Sequence, residues 1–383
     1  MHTKRQIRSI YFLIFAPLGV YVPYLPVYFK SAGLGAGEIS ILFAILPGLK
    51  TLTSPWWGHV VDLTGQRRRF FTLAAWLAVF GSAVWLASDA FAAALAGMTV
   101  YAFARGPLPA LADTAAVELA HSEGHDYSRM RIWGSIGFIV ASVATGYLVE
   151  RRGLAWVPPI LVTANVALAV AALAIGAGPR GTSNPAGGRE TAVLAPGLLV
   201  LMLSAGLHQA ATSPYNTFYG IYLAALGLPV SVIGASWAVA VGAEIVVLLA
   251  AGRVIERFGT RPVLAFSMAA SALRWLLVSV LRDPVALIAV QILHAFTFGT
   301  FLAAAVTWVG RSVAPQRRAT GQTLFGAVTF GLGPLLGTLA AGQAYLRLGG
   351  SGMFMAAAAI DTVAAGLVLL ALREPGHRVG DFA

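Results

Sequence analysis

The stretch Gly58-His59-Val60-Val61-Asp62-Leu63-Thr64-Gly65-Gln66-Arg67 recurs as Gly252-Arg253-Val254-Ile255-Glu256-Arg257-Phe258-Gly259-Thr260-Arg261. Every matched position is offset by 194, so that Gly58 meets Gly252, Asp62 meets Glu256, Gly65 meets Gly259 and Arg67 meets Arg261. The same offset carries Tyr28, Gly33-Leu34 and Ile39 onto Tyr222, Gly227-Leu228 and Ile233. A constant offset of about half the chain, set in apolar sequence, implies a duplicated membrane bundle whose halves surround a midplane site.

Composition points the same way. The chain has 383 residues, 58% hydrophobic and 11% charged, far from the balance of soluble domains. Twelve spans of roughly 20 residues fit this length and a bilayer core of about 30 Å. They must be helical, since lipid satisfies no free backbone N–H or C=O. The expected fold is therefore all-α and integral to the membrane, with twelve transmembrane helices in two pseudo-symmetric six-helix bundles. Spans are predicted near residues 9–30, 38–58, 70–88, 91–113, 130–150 and 155–177, then 195–224, 231–251, 262–281, 284–310, 319–346 and 351–372. Residues 1–178 form the N-terminal half and 195–383 the C-terminal half. The Gly/Pro/Ser-rich segment 179–194 reads as a cytoplasmic linker. Arg8 runs directly into the first span, which reads as an uncleaved helix.

The net charge of +11 is distributed by topology. With an inside N-terminus, 18 of the 26 basic residues fall on the cytoplasmic side and 5 on the other, while Lys50, Arg105 and Arg274 stay inside spans. This asymmetry is the positive-inside rule and puts both termini in the cytoplasm of a multi-pass inner (plasma) membrane protein. No basic surface with interleaved aromatics suggests nucleic acid. The chain has no cysteine, which excludes disulfides and thiolate metal sites. It has no phosphate-binding GxxxxGK[ST] loop, spaced metal constellation or nucleophile elbow. An enzyme, a cofactor and a metal are not expected; the expected partners are a small solute, protons and lipid, and the expected state is a monomer.

The repeated motif falls on the cytoplasmic turn after the second span of each half. Its glycines, Gly58, Gly65, Gly252 and Gly259, suit tight turns and close helix approach. Asp62 is read as a charge lock that breaks when the halves rock apart, with Arg67, Glu256 and Arg261 completing the gating set. Arg68 and Arg69 serve orientation. The motif resembles the loop signature of the major facilitator superfamily, with Glu256 in place of the second aspartate, and the resemblance covers the whole chain.

An ionisable group at membrane depth costs at least about 2.5 kcal/mol on insertion scales, so each is a candidate. Asp113 precedes Arg131 by 18 residues, and Glu244, Arg274 and His294 fall on three successive spans. Both patterns resemble the lactose permease and its relatives, including phenylpropionate permeases and nucleoside–proton symporters; Gln291–Phe298, Arg131–Gly137 and Arg274-Trp275 match the phenylpropionate branch best. The resemblance implies that Asp113 and Arg131 hold solute and that Glu244, Arg274 and His294 couple it to protons. Thr297 stands where the sugar permease has a second carboxylate, which makes Glu244 the main proton carrier, and Phe138 stands at its sugar-stacking aromatic. Arg105, beside Gly106-Pro107, loosely resembles the superfamily's helix-4 arginine and joins the coupling set. Tyr24, Tyr28 and Tyr219 join the solute-binding aromatics. Competing structural readings are a static Glu244–Arg274 pair, His294 as an interhelical donor and Asp113 as a helix cap. His208 and Asp361 have no counterpart, and structural pairing is expected of them.

The implied function is proton-coupled symport of a small organic solute (an aromatic acid, a nucleoside or a sugar) by alternating access. The alternatives are a proton-driven efflux antiporter for hydrophobic compounds and, more remotely, a non-transporting membrane sensor.

Overall fold

The computed structural model describes residues 4–123, 127–173, 196–313 and 317–374, with a few side chains within them, Asp62 among them, left outside. The predicted linker 179–194 also lies outside the described residues.

The apolar runs form helices α1 (Lys4–Ser31), α2 (Ala36–Thr64) and α3 (Arg67–Ala87). Helix α4 is broken, Phe91–Arg105 and then Pro107–Glu123; α5 is Tyr127–Arg152 and α6 Val157–Leu173. The second half holds α7 (Pro196–Ala225), α8 (Val230–Phe258) and α9 (Thr260–Val280). Helix α10 covers Pro284–Ser312 and is irregular at its centre, with a 3-10 stretch at Val290–Leu293 and a π-helical one at Ala295–Thr300. The last helical run, 318–371, divides at Gly349 into α11 (318–348) and α12 (350–371), because Gly349 takes φ 68° and ψ −179°. Nine of the described helical runs are long and apolar enough to cross a membrane; dividing the last at Gly349 and adding α7 and the broken α4 gives the twelve spans.

Three prolines stand inside α1, at positions 17, 23 and 26, a density tolerated where neighbouring helices rescue the freed backbone groups. The sequence placed Asp113 near the end of its span, but α4 continues to Glu123, so Asp113 is well inside it. The break in α4 falls at Gly106, and 194 residues later Thr300 closes the π-helical stretch of α10. The duplicated helices thus lose regular geometry at the same place.

The apolar cores show how the halves meet. One buried cluster, including Ile7, Trp57, Phe71, Leu119 and Leu168, belongs to the first half alone. Another, including Leu198, Ile255, Met268, Trp308 and Val368, belongs to the second. Both lie toward the face that carries the two repeated motifs. The third cluster mixes the halves: Tyr24, Ile39 and Trp85 with Phe218, Trp237 and Phe354. It fills the molecule from mid-depth to the opposite face. There the Ser231 N–H donates to Glu150 at 2.9 Å across the halves, and Gly234 lies so close to the Tyr24 hydroxyl and the Ser142 carbonyl that a Cβ would collide with both. The halves are therefore joined on the far face and separate toward the motif face.

Candidate functional site

Helix α9 sets Arg274 and Trp275 side by side, both fully buried. Arg274 Nε and Nη2 donate to Gln291 Oε1 at 3.0 and 2.5 Å, and Nη1 lies 3.0 Å from His294 Nδ1. The guanidinium also sits 4.1 Å from the Tyr215 ring centre and 4.4 Å from that of Trp275. An arginine only donates, so His294 Nδ1 accepts, and a neutral imidazole then carries its proton on Nε2. That nitrogen lies 3.6 Å from Glu244 Oε2. Glu244 thus meets the network through His294, with Arg274 one step behind. The Glu244 side chain keeps 18% of its surface accessible, which leaves a route for a proton to reach it. Gln291 closes the chain by donating Nε2 to Tyr219 Oη at 3.1 Å and to the Leu287 carbonyl at 2.9 Å.

In the first half Asp113 is held by phenols. Its Oδ1 accepts from Tyr11 at 2.5 Å and Tyr127 at 2.8 Å. Arg131, one turn beyond Tyr127, is exposed and has no described ion-pair partner. Lys50 is likewise accessible at the middle of α2, and 194 residues separate it from Glu244. The duplication therefore places a base and an acid at equivalent points on α2 and α8. Arg105 is buried and donates to the Ile14 carbonyl at 2.7 Å, which ties α4 to α1. No described hydrogen bond or ion pair joins it to Glu244, His294 or Arg274.

The aromatic residues divide between the two regions. Tyr219 is part of the Gln291 network. Tyr24 is fully buried and donates to the Ser142 carbonyl at 2.7 Å, Tyr28 reaches the Trp85 carbonyl at 3.5 Å, and Phe138 packs on Trp237 with ring centres 5.5 Å apart. These three belong to the joined region between the halves.

At the motif face Gly65 and Gly259 take φ of 64° and 84° and end α2 and α8, the turns their residue type suits. Gly58 and Gly252 have open space where a Cβ would stand, so the close helix approach expected of them is absent with the halves apart on this face. Glu256 is exposed, with no described partner. The anchor is Glu374, three residues beyond the end of α12, which accepts from Thr260 Oγ1 at 2.8 Å and from the Arg261 N–H at 2.6 Å. Arg261 donates in turn to the Leu369 carbonyl. In the first half Arg68 does the equivalent, donating to the Leu173 carbonyl at 2.6 Å. Both bonds tie the start of the third helix of a half to the end of its sixth, so Arg68 does more than orient the chain.

Sequence reasoning missed a polar stripe on α7. Gln209, Thr212, Ser213 and Asn216 follow the i, i+3, i+4, i+7 spacing of one helix face, and Asn216 is exposed amid an otherwise buried run. The spacing was the signal. His208 and Asp361 pair with each other at 2.7 Å, both fully buried.

The family model for the MFS_1 like family matches residues 5–356. The chain belongs to the MFS_1 like family. It is a membrane transporter of small solutes within the major facilitator superfamily, and not an enzyme. It is 27% identical to the maltose permease of Geobacillus stearothermophilus, over 97% of this chain and 95% of that one. It is also 27% identical to the probable 3-phenylpropionic acid transporter of Escherichia coli (strain K12), over 91% and 93%. Among solved structures the nucleoside transporter NupG shares the fold, with a TM-score of 0.82 at 20% identity over 96% of this chain and 98% of the other.

Proposed function

We propose that the chain is a proton-coupled symporter for a small organic solute, working by alternating access, with its termini and motif face in the cytoplasm of the inner membrane. The observation that carries this reading is the Glu244–His294–Arg274 chain, which sets an accessible carboxylate against a His N–H at membrane depth. Glu244 takes a proton from the open side, and solute binds between the halves in the accessible space near Arg131, Lys50 and Asn216. The neutralised carboxyl then lets the halves close over the loaded site. The basic-residue asymmetry supports the orientation, which makes the open motif face the inward one. Within 1–178 and 195–383 each half moves as a body, joined by 179–194.

Three solute classes were expected. The unpaired cations Lys50 and Arg131 favour the anionic one, an aromatic acid, since an anion would supply the counter-charge that the described residues do not. The similarity to a probable 3-phenylpropionic acid transporter supports the same choice; the equal similarity to a maltose permease keeps a sugar in the test. A thermal-shift screen of purified protein with aromatic acids, nucleosides and sugars decides it, and stabilisation by neutral sugars alone would reject the anion. Uptake into proteoliposomes under an inward proton gradient tests the coupling. Accumulation is expected, and expulsion would make the chain an antiporter.

A further inference from the structure

His208 on α7 and Asp361 on α12 lie outside the Glu244 network, and both are fully buried. Asp361 Oδ1 meets His208 Nδ1 at 2.7 Å, and Oδ2 accepts from Trp275 Nε1 at 2.8 Å. The other ring nitrogen, Nε2, lies 2.8 Å from the Thr297 carbonyl. A carbonyl only accepts, so Nε2 carries a proton. The contact with Asp361 needs one more proton, shared between Oδ1 and Nδ1. The pair is therefore neutral overall, whether written as imidazolium and carboxylate or as imidazole and carboxylic acid.

Thr297 lies within the π-helical stretch Ala295–Thr300, immediately after His294. A π-helical turn holds one residue more than the α-helix, so its carbonyls leave the regular ladder. His208 bonds one carbonyl inside this turn, that of Thr297. At the other end of the irregular segment Arg274 grips Gln291 and His294. Restoring α geometry would remove the extra residue and rotate one side of α10 against the other by about 100°.

We propose that His208 and Asp361 are positioning residues, a latch between α7 and α12 that holds the π-turn of α10 and so aims His294 at Glu244. This rests on the coupling role proposed above for those two residues, but its geometry can be tested without transport. The chain has no cysteine, so introduced pairs report alone. Phe266 and Phe296 face each other across α9 and α10 with ring centres 5.5 Å apart, and a Phe266→Cys/Phe296→Cys background in the full chain reads the register of α10. Asp361→Asn keeps both hydrogen bonds, one from the amide to Nδ1 and one from Trp275, without the charge. His208→Phe/Asp361→Leu replaces the buried pair with apolar groups of similar volume, a change that folded proteins tolerate. His208→Gln disturbs the site less and can reach only one of the two acceptors.

The oxidative cross-link is expected to form at the unaltered rate in Asp361→Asn and about tenfold more slowly in His208→Gln and in the apolar double variant, as the loss of a strong hydrogen bond implies. Counterflow exchange of solute should follow the same order. Cross-linking at the unaltered rate in the apolar double variant would overturn the latch. So would loss of the cross-link in Asp361→Asn, which would make the charge, and not the hydrogen bonds, the thing that matters. If accumulation proved independent of Glu244, the coupling role would fall while the cross-link result stood.

Discussion

Among the described residues no carboxylate lies at ion-pair distance from Arg274, and its stability in the core comes largely from elsewhere. Two ring faces near 4 Å and a forked pair of bonds to Gln291 supply it. Desolvated cation–π contacts contribute about 2 kcal/mol or more each, and hydrogen bonds to charged groups about 1.5–3. Lysine lacks the rigid planar fork and its stacking on Tyr215 and Trp275, so Arg274→Lys should hold Gln291 and His294 in a looser geometry. It should cut coupled uptake at least about tenfold while leaving folded, monodisperse protein. Unimpaired uptake would mean that the fork does not matter. The same geometry governs Glu244. Glu244→Gln fixes the neutral form of the side chain, so solute binding and counterflow should persist while uphill accumulation disappears. Proteoliposomes with an imposed pH gradient measure both, and wild-type accumulation by this variant would remove Glu244 from the coupling step.

At the scale of helices, the sequence was readable where one residue type dictates a conformation. Gly65 and Gly259 end α2 and α8 as their motif implies, and the apolar runs lie close to the observed spans. Partner choice was much less readable. Asp113 and Arg131, grouped by spacing, are separated by Tyr127, because a phenol one helical turn from Arg131 reaches the carboxylate first. At the second motif the carboxylate that anchors the turn is Glu374, which lies 118 residues beyond Glu256 and owes its role to where α12 ends. No local pattern encodes the π-turn of α10, whose Thr297 carbonyl is bonded by His208 from another helix. Packing of α5 against α8 offers a direct test at this scale. Gly234→Val puts a branched side chain against Tyr24 and Ser142, so it should hold the far face apart. A cysteine at Ser231 should then react faster with a membrane-impermeant maleimide than it does in the Gly234 background. Equal rates would show that the joined region tolerates the added bulk.

For the molecule as a whole, the duplication explains both the architecture and the asymmetry of the site. Equivalent positions carry Lys50 and Glu244, and equivalent breaks fall in α4 and α10, so one ancestral half could not have supplied proton exchange and anion binding at the same residue. Divergence after duplication could divide them, with protons handled in the second half and solute charge in the first. The division works only if the halves alternate about the site, which requires the far-face contacts to break in every cycle. Glu150 and Ser231, joined across the halves, are the place to stop it. Glu150→Cys/Ser231→Cys, bridged by a short bismaleimide, should abolish net uptake and counterflow. Solute should still bind to detergent-solubilised protein, because the motif face stays open. Release of the same two residues should not be needed for binding, only for turnover. If bridged protein transports as fast as the unbridged variant, the far face does not open during transport and the halves do not rock about the site.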